Sequence, residues 1–181
     1  RDRTIADVTR RFGLDEAQAA RVSASALDLL RQARAKWGLT GKESRDVLER
    51  AARLHEIGLL LTHDQYHRHG AYVLQHSDLP GYSRDDQQLL AALVRRHRRS
   101  FPDDAFAELP KDSVRTARRL CALLRLAVVL HRSRSNEPLP AISLRVDGQR
   151  MHLVFPSGWL TAHPLTRADL QMEARLLRKA G

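Results

Sequence analysis

The chain has 181 residues, of which 43% are hydrophobic, so it can bury a core and global disorder is excluded. Its 31 Lys and Arg against 21 Asp and Glu leave a formal net charge of +10, which predicts a polyanionic partner. The single cysteine, Cys121, excludes an intrachain disulfide and a thiolate zinc site.

No stretch of the sequence approaches the roughly 20 apolar residues that a membrane-spanning helix needs, and no secretory signal is visible. We therefore expect a cytoplasmic protein. The positive charge leaves peripheral attachment to anionic membrane lipid as an open alternative. The chain begins with Arg1 rather than methionine, and we expect it to be a piece of a longer protein.

Helical periodicity runs through the first part of the chain. A short apolar stripe predicts a helix that stops at Gly13, and Asp15 then predicts the N-cap of a long helix reaching about Trp37. A third helix is predicted from Lys42 and ends at Gly58.

Two further helices and a long one follow. The segment 66–77 predicts a short helix, and Ser83 predicts the start of the next one, which is acidic at its beginning and basic at its end. After a loop, Asp112 begins a long helix to about residue 134 that is apolar on most of one side.

The pattern changes after a proline-containing linker at 135–142. Apolar residues alternate on both sides of Asp147-Gly148, which predicts a β-hairpin, and an amphipathic helix follows. The fold class predicted is mainly α: a helical domain over residues 1–136 and a small α/β domain, a hairpin plus helix, over 137–181.

The stretch "RLHEIGLLLTHDQYHRHGAYVLQ" at 53–75 is rich in histidine, with Glu56 and Asp64 nearby. Imidazole and carboxylate groups are ligands for divalent metal ions. Over about 15–134 the chain resembles the metal-dependent phosphohydrolases of the HD superfamily, and His55-Glu56 stands where their His-Asp pair would stand. In that superfamily the metal polarises a phosphoryl group and activates water.

The resemblance lacks ligands on two other helices. Ser23 and Ser25 occupy the earlier helix where a histidine is needed, and the late helix is apolar around Ala127 and Val128. The sequence therefore predicts a degenerate HD-like bundle that has no metal and no catalytic residue.

In this reading His55 and Glu56 keep a structural role. A buried Glu56 needs a partner, for which His55 or an arginine such as Arg125 is the candidate.

A wider resemblance covers nearly the whole chain. The run "LHEIGLLLTHDQYHRHGAYVLQHSDLPGYSRDDQQLLAALVRRHRRS", the later "LLRLAVVLHRSR" and the hairpin "LRVDGQRMHLVFPSGWL" are similar, in this order, to the C-terminal region of the exopolyphosphatase/guanosine pentaphosphate phosphatase (Ppx/GppA) family. The resemblance implies a degenerate HD-like domain followed by a small α/β domain.

In that family, catalysis and a Mg²⁺ site belong to N-terminal domains of the actin-like ATPase fold. The resemblance therefore implies that this chain alone is inactive and holds no cofactor. It also implies three partners: inorganic polyphosphate, the catalytic N-terminal domains of the same protein, and a second copy in a homodimer. Whether the parent enzyme prefers polyphosphate or guanosine pentaphosphate stays open.

The candidate polyphosphate-binding residues are basic. In "VRRHRRS", Arg95, His97 and Arg98 match the family's motif, and Arg125 lies on the facing late helix. The remaining candidates are Arg96 and Arg99 in the same run, His69, and a second basic stripe of Lys111, Arg115, Arg118 and Arg119. A solvated helix face is the alternative reading of that stripe.

Two other functions remain open. One is an active HD-type phosphohydrolase acting on a nucleotide or phosphoester. The other is a nucleic-acid-binding module, which only the charge favours. Because aromatic residues make up 5% and no helix-turn-helix pattern stands out, we do not expect nucleic acid to be the partner.

Overall fold

The structure, a computed structural model, describes residues 2–180. These residues form eight α-helices, a 3₁₀ turn at Ile57–Leu60 and one two-stranded antiparallel sheet, so the predicted mainly α fold with a late hairpin plus helix is confirmed. The elements are α1 (Asp2–Arg11), α2 (Glu16–Trp37), α3 (Lys42–Leu54), α4 (Tyr66–His76), α5 (Arg84–Arg96), α6 (Lys111–Leu130), β1 (Ser143–Asp147), β2 (Arg150–Val154), α7 (Trp159–Ala162) and α8 (Pro164–Lys179).

Short-range capping interactions set several helix ends where the sequence predicts them. The side chain of Asp15 accepts a hydrogen bond from the N–H of Gln18 at the start of α2, and Gly38 ends that helix in the left-handed conformation. At the start of α5, Ser83 and Asp86 each bond the other's backbone N–H, which forms a capping box.

The third helix ends earlier than predicted. It stops at Leu54, and the 3₁₀ turn contains Gly58. This turn lies so close to α4 that a Cβ atom on Gly58 would sit 1.9 Å from the carbonyl oxygen of Tyr66 and 2.6 Å from the amide nitrogen of Gly70. Gly58 therefore permits the close approach of two backbone segments instead of ending a helix.

One hydrophobic core joins the helices and the hairpin. Leu48, Leu93 and Leu123, from three different helices, are fully buried in it. Leu144 and Val146 of β1 belong to the same cluster. The predicted boundary between residues 136 and 137 separates two domains that would each fold independently, and it stays a prediction.

Two side chains of α2 hold the hairpin in place. The Gln32 amide donates to the carbonyl of Ile142 at 3.1 Å and accepts from the N–H of Leu144 at 2.7 Å. The Trp37 indole donates to the carbonyl of Gly148 at 2.9 Å. These bonds occupy polar groups on β1 and at the turn.

The hairpin turn lies one residue later than the sequence pattern indicates. Asp147 pairs with Arg150, so the two loop residues are Gly148 and Gln149. Gly148 has a φ of 56°, a conformation that favours glycine.

Within residues 2–180, no helix combines the length and the apolar character that crossing a bilayer would require.

Candidate functional site

His55 is a buried core residue at the end of α3. Its side chain is enclosed by protein, and Nδ1 donates a hydrogen bond to the carbonyl of Ala52 at 2.7 Å. Its ring meets the ring of His97 edge-on, with centroids 5.2 Å apart. Burial lowers the pKa of His55, although the neighbouring Glu56 carboxylate opposes this shift. His55 is therefore a neutral imidazole that is packed in the core.

Glu56 has an arginine partner, but a different one from the candidate named above. Arg134 donates from Nη1 and Nη2 to the two carboxylate oxygens of Glu56 at 2.6 and 3.2 Å. The same Nη2 lies 2.9 Å from Oδ2 of Asp15, whereas Nε2 of His55 is 3.8 Å from Glu56. The hydrogen bond to Glu56 raises the pKa of Arg134. A guanidinium thus supplies the positive charge beside these carboxylates.

The metal ligands of an HD site do not assemble in the described part of the chain. Across residues 2–180, no three His, Cys, Asp or Glu side chains converge as a metal site would require. Ser25, on the helix where a histidine ligand is needed, bonds Nε2 of His131 at 2.7 Å instead. Among the described residues, the divalent metal of an HD phosphohydrolase therefore has no matching set of donor groups.

A basic cleft lies where the start of α4 meets the end of α5. Its volume is about 240 Å³. The residues that line it are Asp64, Gln65, His67, Arg68, Arg95, Arg96, Arg98, Arg99 and Ser100. Asp64 is the single carboxylate among these lining residues, and Arg99 pairs with it at 2.8 Å. The arginines come from α4, from the end of α5 and from the residues just after α5, so the fold brings together positive charge that the sequence spreads over more than thirty positions.

The cleft arginines differ in how they are held. Arg68 and Arg95 are exposed and make no hydrogen bond or ion pair among the described residues. Arg98 lies over the ring of Tyr66, 4.5 Å from its centroid, a cation–π contact that orients the guanidinium. Arg99 adopts a left-handed backbone with a φ of 64°. Arg96 donates from Nε to the carbonyl of Ala105 at 3.3 Å. Three of the five cleft arginines are thus held by contacts within the protein, and Arg68 and Arg95 are available to a ligand.

Sequence reasoning missed Arg68. It named His69 from the same "YHRHG" run, but His69 is half-buried and is not among the residues that line the cleft. The signal that points to Arg68 is its place in the first turn of α4, beside His67. The position of Arg68 points to the cleft only when the start of α4 is known to face the end of α5, which the sequence alone does not show.

His67 forms part of the cleft wall. It is 5% exposed, and its Nδ1 has no hydrogen-bond partner among the described residues. Burial, followed by the positive charge of Arg98, lowers its pKa to about 4. The imidazole is therefore neutral near pH 7 and adds no charge to the cleft.

Two predicted contact residues lie beneath the cleft instead of in it. His97 is 2% exposed, with Nδ1 donating to the carbonyl of Val94 at 2.6 Å and Nε2 lying 3.3 Å from the hydroxyl of Tyr66. Burial holds its pKa well below the ordinary value. Arg125 is fully buried and is paired with Glu173. Neither side chain is placed to touch a ligand.

The second basic stripe divides into two kinds of residue. Lys111 and Arg115 are exposed. Arg118 donates to the carbonyls of Asp103, at 3.0 Å, and Ala180. Arg119 donates to the carbonyl of Trp37, the last residue of α2, at 2.7 Å. Half of this stripe therefore fixes packing, and the other half is a solvated face.

Comparison with known proteins finds a family model and several relatives that match nearly the whole chain. A family model described as Ppx/GppA phosphatase, domain III, matches residues 1–174. Three similar proteins are each named guanosine-5'-triphosphate,3'-diphosphate pyrophosphatase. The protein from Pseudoalteromonas translucida is 34% identical over 100% of this chain and 36% of its own length. The one from Aeromonas hydrophila is 33% identical over 100% of this chain and 36% of its length. The one from Photobacterium profundum is 36% identical over 96% of this chain and 34% of its length.

The chain thus spans about a third of the length of these relatives. The family match extends over both the helical part and the hairpin, in agreement with the resemblance seen in the sequence. The chain belongs to the Ppx/GppA phosphatase family, in which it corresponds to domain III.

Proposed function

We propose that this chain is a non-catalytic domain of an exopolyphosphatase and that its basic cleft binds inorganic polyphosphate. The observation that carries the proposal is the convergence of Arg68, Arg95, Arg98 and Arg99 around one cleft with a single carboxylate. Guanidinium groups bind phosphate oxygens through paired N–H donors, and a phosphoanhydride chain offers such oxygens at every phosphorus.

The cleft suits phosphate chains better than nucleobases. None of the described residues that line it is Phe, Tyr or Trp, so it offers no ring of the kind on which bases usually stack. The relatives named above are pyrophosphatases of a guanosine compound that also carries phosphoanhydrides. We propose that the parent enzyme releases terminal phosphate from polyphosphate, with guanosine pentaphosphate as a second substrate whose guanine is recognised outside this cleft.

The remaining parts of the proposed function lie outside this chain. Catalysis and Mg²⁺ belong to N-terminal domains of the same protein, in a cytoplasmic enzyme, and this chain on its own does not hydrolyse phosphoanhydrides. It contributes by holding a distant part of the polyphosphate chain, which raises the local concentration of the reactive end.

A salt series with matched variants tests the binding proposal. We expect long-chain polyphosphate to bind with a Kd in the micromolar range or below, and the double variant Arg95→Ala/Arg98→Ala to weaken binding at least about tenfold. Each lost phosphate contact also lowers the slope of log Kd against log salt by about one. The control, Arg145→Ala/Arg175→Ala, removes the same charge from exposed positions outside the cleft.

Duplex DNA at equal phosphate concentration completes the experiment. If both double variants weaken polyphosphate binding equally, or if DNA binds as tightly as polyphosphate, bulk charge explains the binding and the cleft proposal is wrong.

Homodimer formation is the other proposed property. Leu165 and Met172 lie seven positions apart on one side of α8, and they are 81% and 59% exposed. Exposed apolar residues grouped in this way favour an interface. In sedimentation velocity we expect a dimer that Leu165→Glu converts to a monomer. The matched control Leu60→Glu, at a 68% exposed position on the 3₁₀ turn, leaves the dimer intact. A monomeric wild-type chain would contradict the proposal.

A further inference from the structure

Arg125 lies inside the protein and holds the end of α5. Its Nη1 donates to the carbonyl of Arg96 at 2.6 Å, and its Nη2 donates to the carbonyl of Arg99 at 2.7 Å. Arg96 is the last residue of α5, where carbonyl groups lack partners within the helix. A buried cation at this end also balances the negative pole of the helix dipole.

The segment that Arg125 holds is the one that shapes the cleft. Arg99 has a left-handed backbone, a conformation that an L-residue adopts only when the surrounding structure fixes it. The hydrogen bond from Arg125 to the carbonyl of Arg99 supplies such a fixed point. This geometry lets Arg95, Arg98 and Arg99 line the same cavity although they lie at or just past the end of α5.

Glu173 of α8 keeps Arg125 in this position. Nε and Nη2 of Arg125 lie 2.5 and 3.2 Å from the two carboxylate oxygens, and Glu173 is 5% exposed. Phe101 packs beside the guanidinium, with the ring centroid 5.3 Å from its central carbon. Four hydrogen bonds thus use all three nitrogens of Arg125. None of these nitrogens remains for a ligand.

We infer that Arg125 and Glu173 are positioning residues for the basic cleft, so that the last helix of the chain sets the affinity of the phosphate site without touching the ligand. The inference rests on the proposed function. Preorganised arginines lose less conformational freedom on binding than mobile ones. Loosening the end of α5 therefore weakens phosphate binding while every cleft arginine is still present.

The first test changes the buried pair and leaves the cleft residues intact. Arg125→Lys keeps the positive charge but has one nitrogen, which cannot reach Glu173 and both carbonyls together. Glu173→Gln keeps the shape and a hydrogen-bond acceptor but removes the counter-charge. For inorganic tripolyphosphate at one fixed salt concentration, we expect Arg125→Lys to raise Kd about tenfold and Glu173→Gln to raise it by a smaller factor.

A control variant shows whether loss of stability alone weakens phosphate binding. Leu48→Ala, in α3, removes a fully buried side chain that does not line the cleft, so it should lower Tm without changing Kd when measured well below Tm. In an Arg98→Ala/Arg99→Ala background, Arg125→Lys should have a clearly smaller effect on Kd than in the wild type, because two of the three arginines that it positions are gone.

The possible outcomes separate the two proposals. If wild-type binding depends on Arg95 and Arg98 but Arg125→Lys and Glu173→Gln bind like wild type, the positioning role is wrong and the cleft remains. The role is also wrong if Leu48→Ala weakens binding as much, or if the Arg125→Lys effect persists undiminished in the double-alanine background. If wild-type binding does not depend on the cleft arginines, both proposals fail together.

Discussion

Arg134 and Glu56, 78 positions apart in the chain, form a two-point ion pair whose N–O distances are 2.6 and 3.2 Å. The carboxylate is mostly buried, and the arginine also binds Asp15 at the start of α2. The pair therefore joins the end of α3 to the segment after α6 and to the cap of α2.

Replacing Arg134 with Met should destabilise the fold. The change leaves the charge of Glu56 partly buried without its partner, and we expect a loss of about 2 kcal/mol in the free energy of unfolding. Urea denaturation measures this loss. The control Arg31→Met breaks an exposed pair with Asp28, for which about 0–1 kcal/mol is expected. Equal effects of the two changes would show that burial at Glu56 does not matter.

Acid should destabilise the protein in a defined pH window. The pKa values of His67 and His131 are lowered from 6.5 to about 4, chiefly by burial. Between these values the unfolded chain binds protons that the folded chain excludes. The stability is therefore complete above about pH 6.5 and falls progressively as pH drops toward about 4.

Unfolding measured from pH 7.5 to 4.5 tests this assignment. His131→Gln, which cannot titrate, should reduce the pH dependence of the free energy of unfolding. Asp15, whose pKa is lowered mainly by the hydrogen bond from the Gln18 amide, loses its contribution at lower pH, below its ordinary value of 3.8. An unchanged pH profile in His131→Gln would refute the role given to that residue.

Gly58→Ala should strongly destabilise the fold. The new methyl group would overlap the carbonyl oxygen of Tyr66, and backbone atoms of α4 cannot move aside without displacing the helix. We expect a loss of about 3 kcal/mol or more, measured by thermal unfolding. In the control Gly41→Ala, the methyl group meets only the end of the flexible Glu43 side chain, so the loss should stay below about 1 kcal/mol.

Substitutions in the second basic stripe should affect the stability of the fold more than the affinity for polyphosphate. Arg119→Ala removes a hydrogen bond to the carbonyl of Trp37 and a cation–π contact with its ring, which lies 5.6 Å away. We expect a loss of about 1–2 kcal/mol in stability with little change in polyphosphate affinity. Arg115→Ala, at an exposed position on the same helix, should change neither by much. A large loss of affinity in either variant would extend the binding surface to α6.

Local signals in the sequence predict the helices and their caps well. The N-caps at Asp15 and Ser83 and the left-handed Gly38 depend on residues within four positions, so a single sequence contains the needed information. The buried faces also follow from periodicity. The order of the motifs identifies the family, whereas the polyanionic partner predicted from the charge stays a prediction.

The site is less predictable because its contacts join distant segments. Arg125 lies in the second half of α6, where nearly every side chain is buried, and its counter-charge, Glu173, lies 48 positions later. Nothing in the local pattern of α6 shows that this arginine faces two carbonyls instead of solvent. Likewise, Glu56 has many possible arginine partners in a chain this basic, and the choice of Arg134 depends on how the segment after α6 returns to α2.

The residues that bind the α2 region are synthesised long after α2 itself. Asp15, Gln18 and Gln32 of the α2 region are bonded to residues 119, 113 and 112 positions later. At about 5–20 residues per second, a ribosome takes roughly 5–20 s to reach those partners after α2 has been made. Although α2 is the second helix to be synthesised, its last hydrogen bonds form only when the end of the chain is available. A chain truncated before the hairpin would leave Gln32 and Trp37 of α2 without their partners in the hairpin.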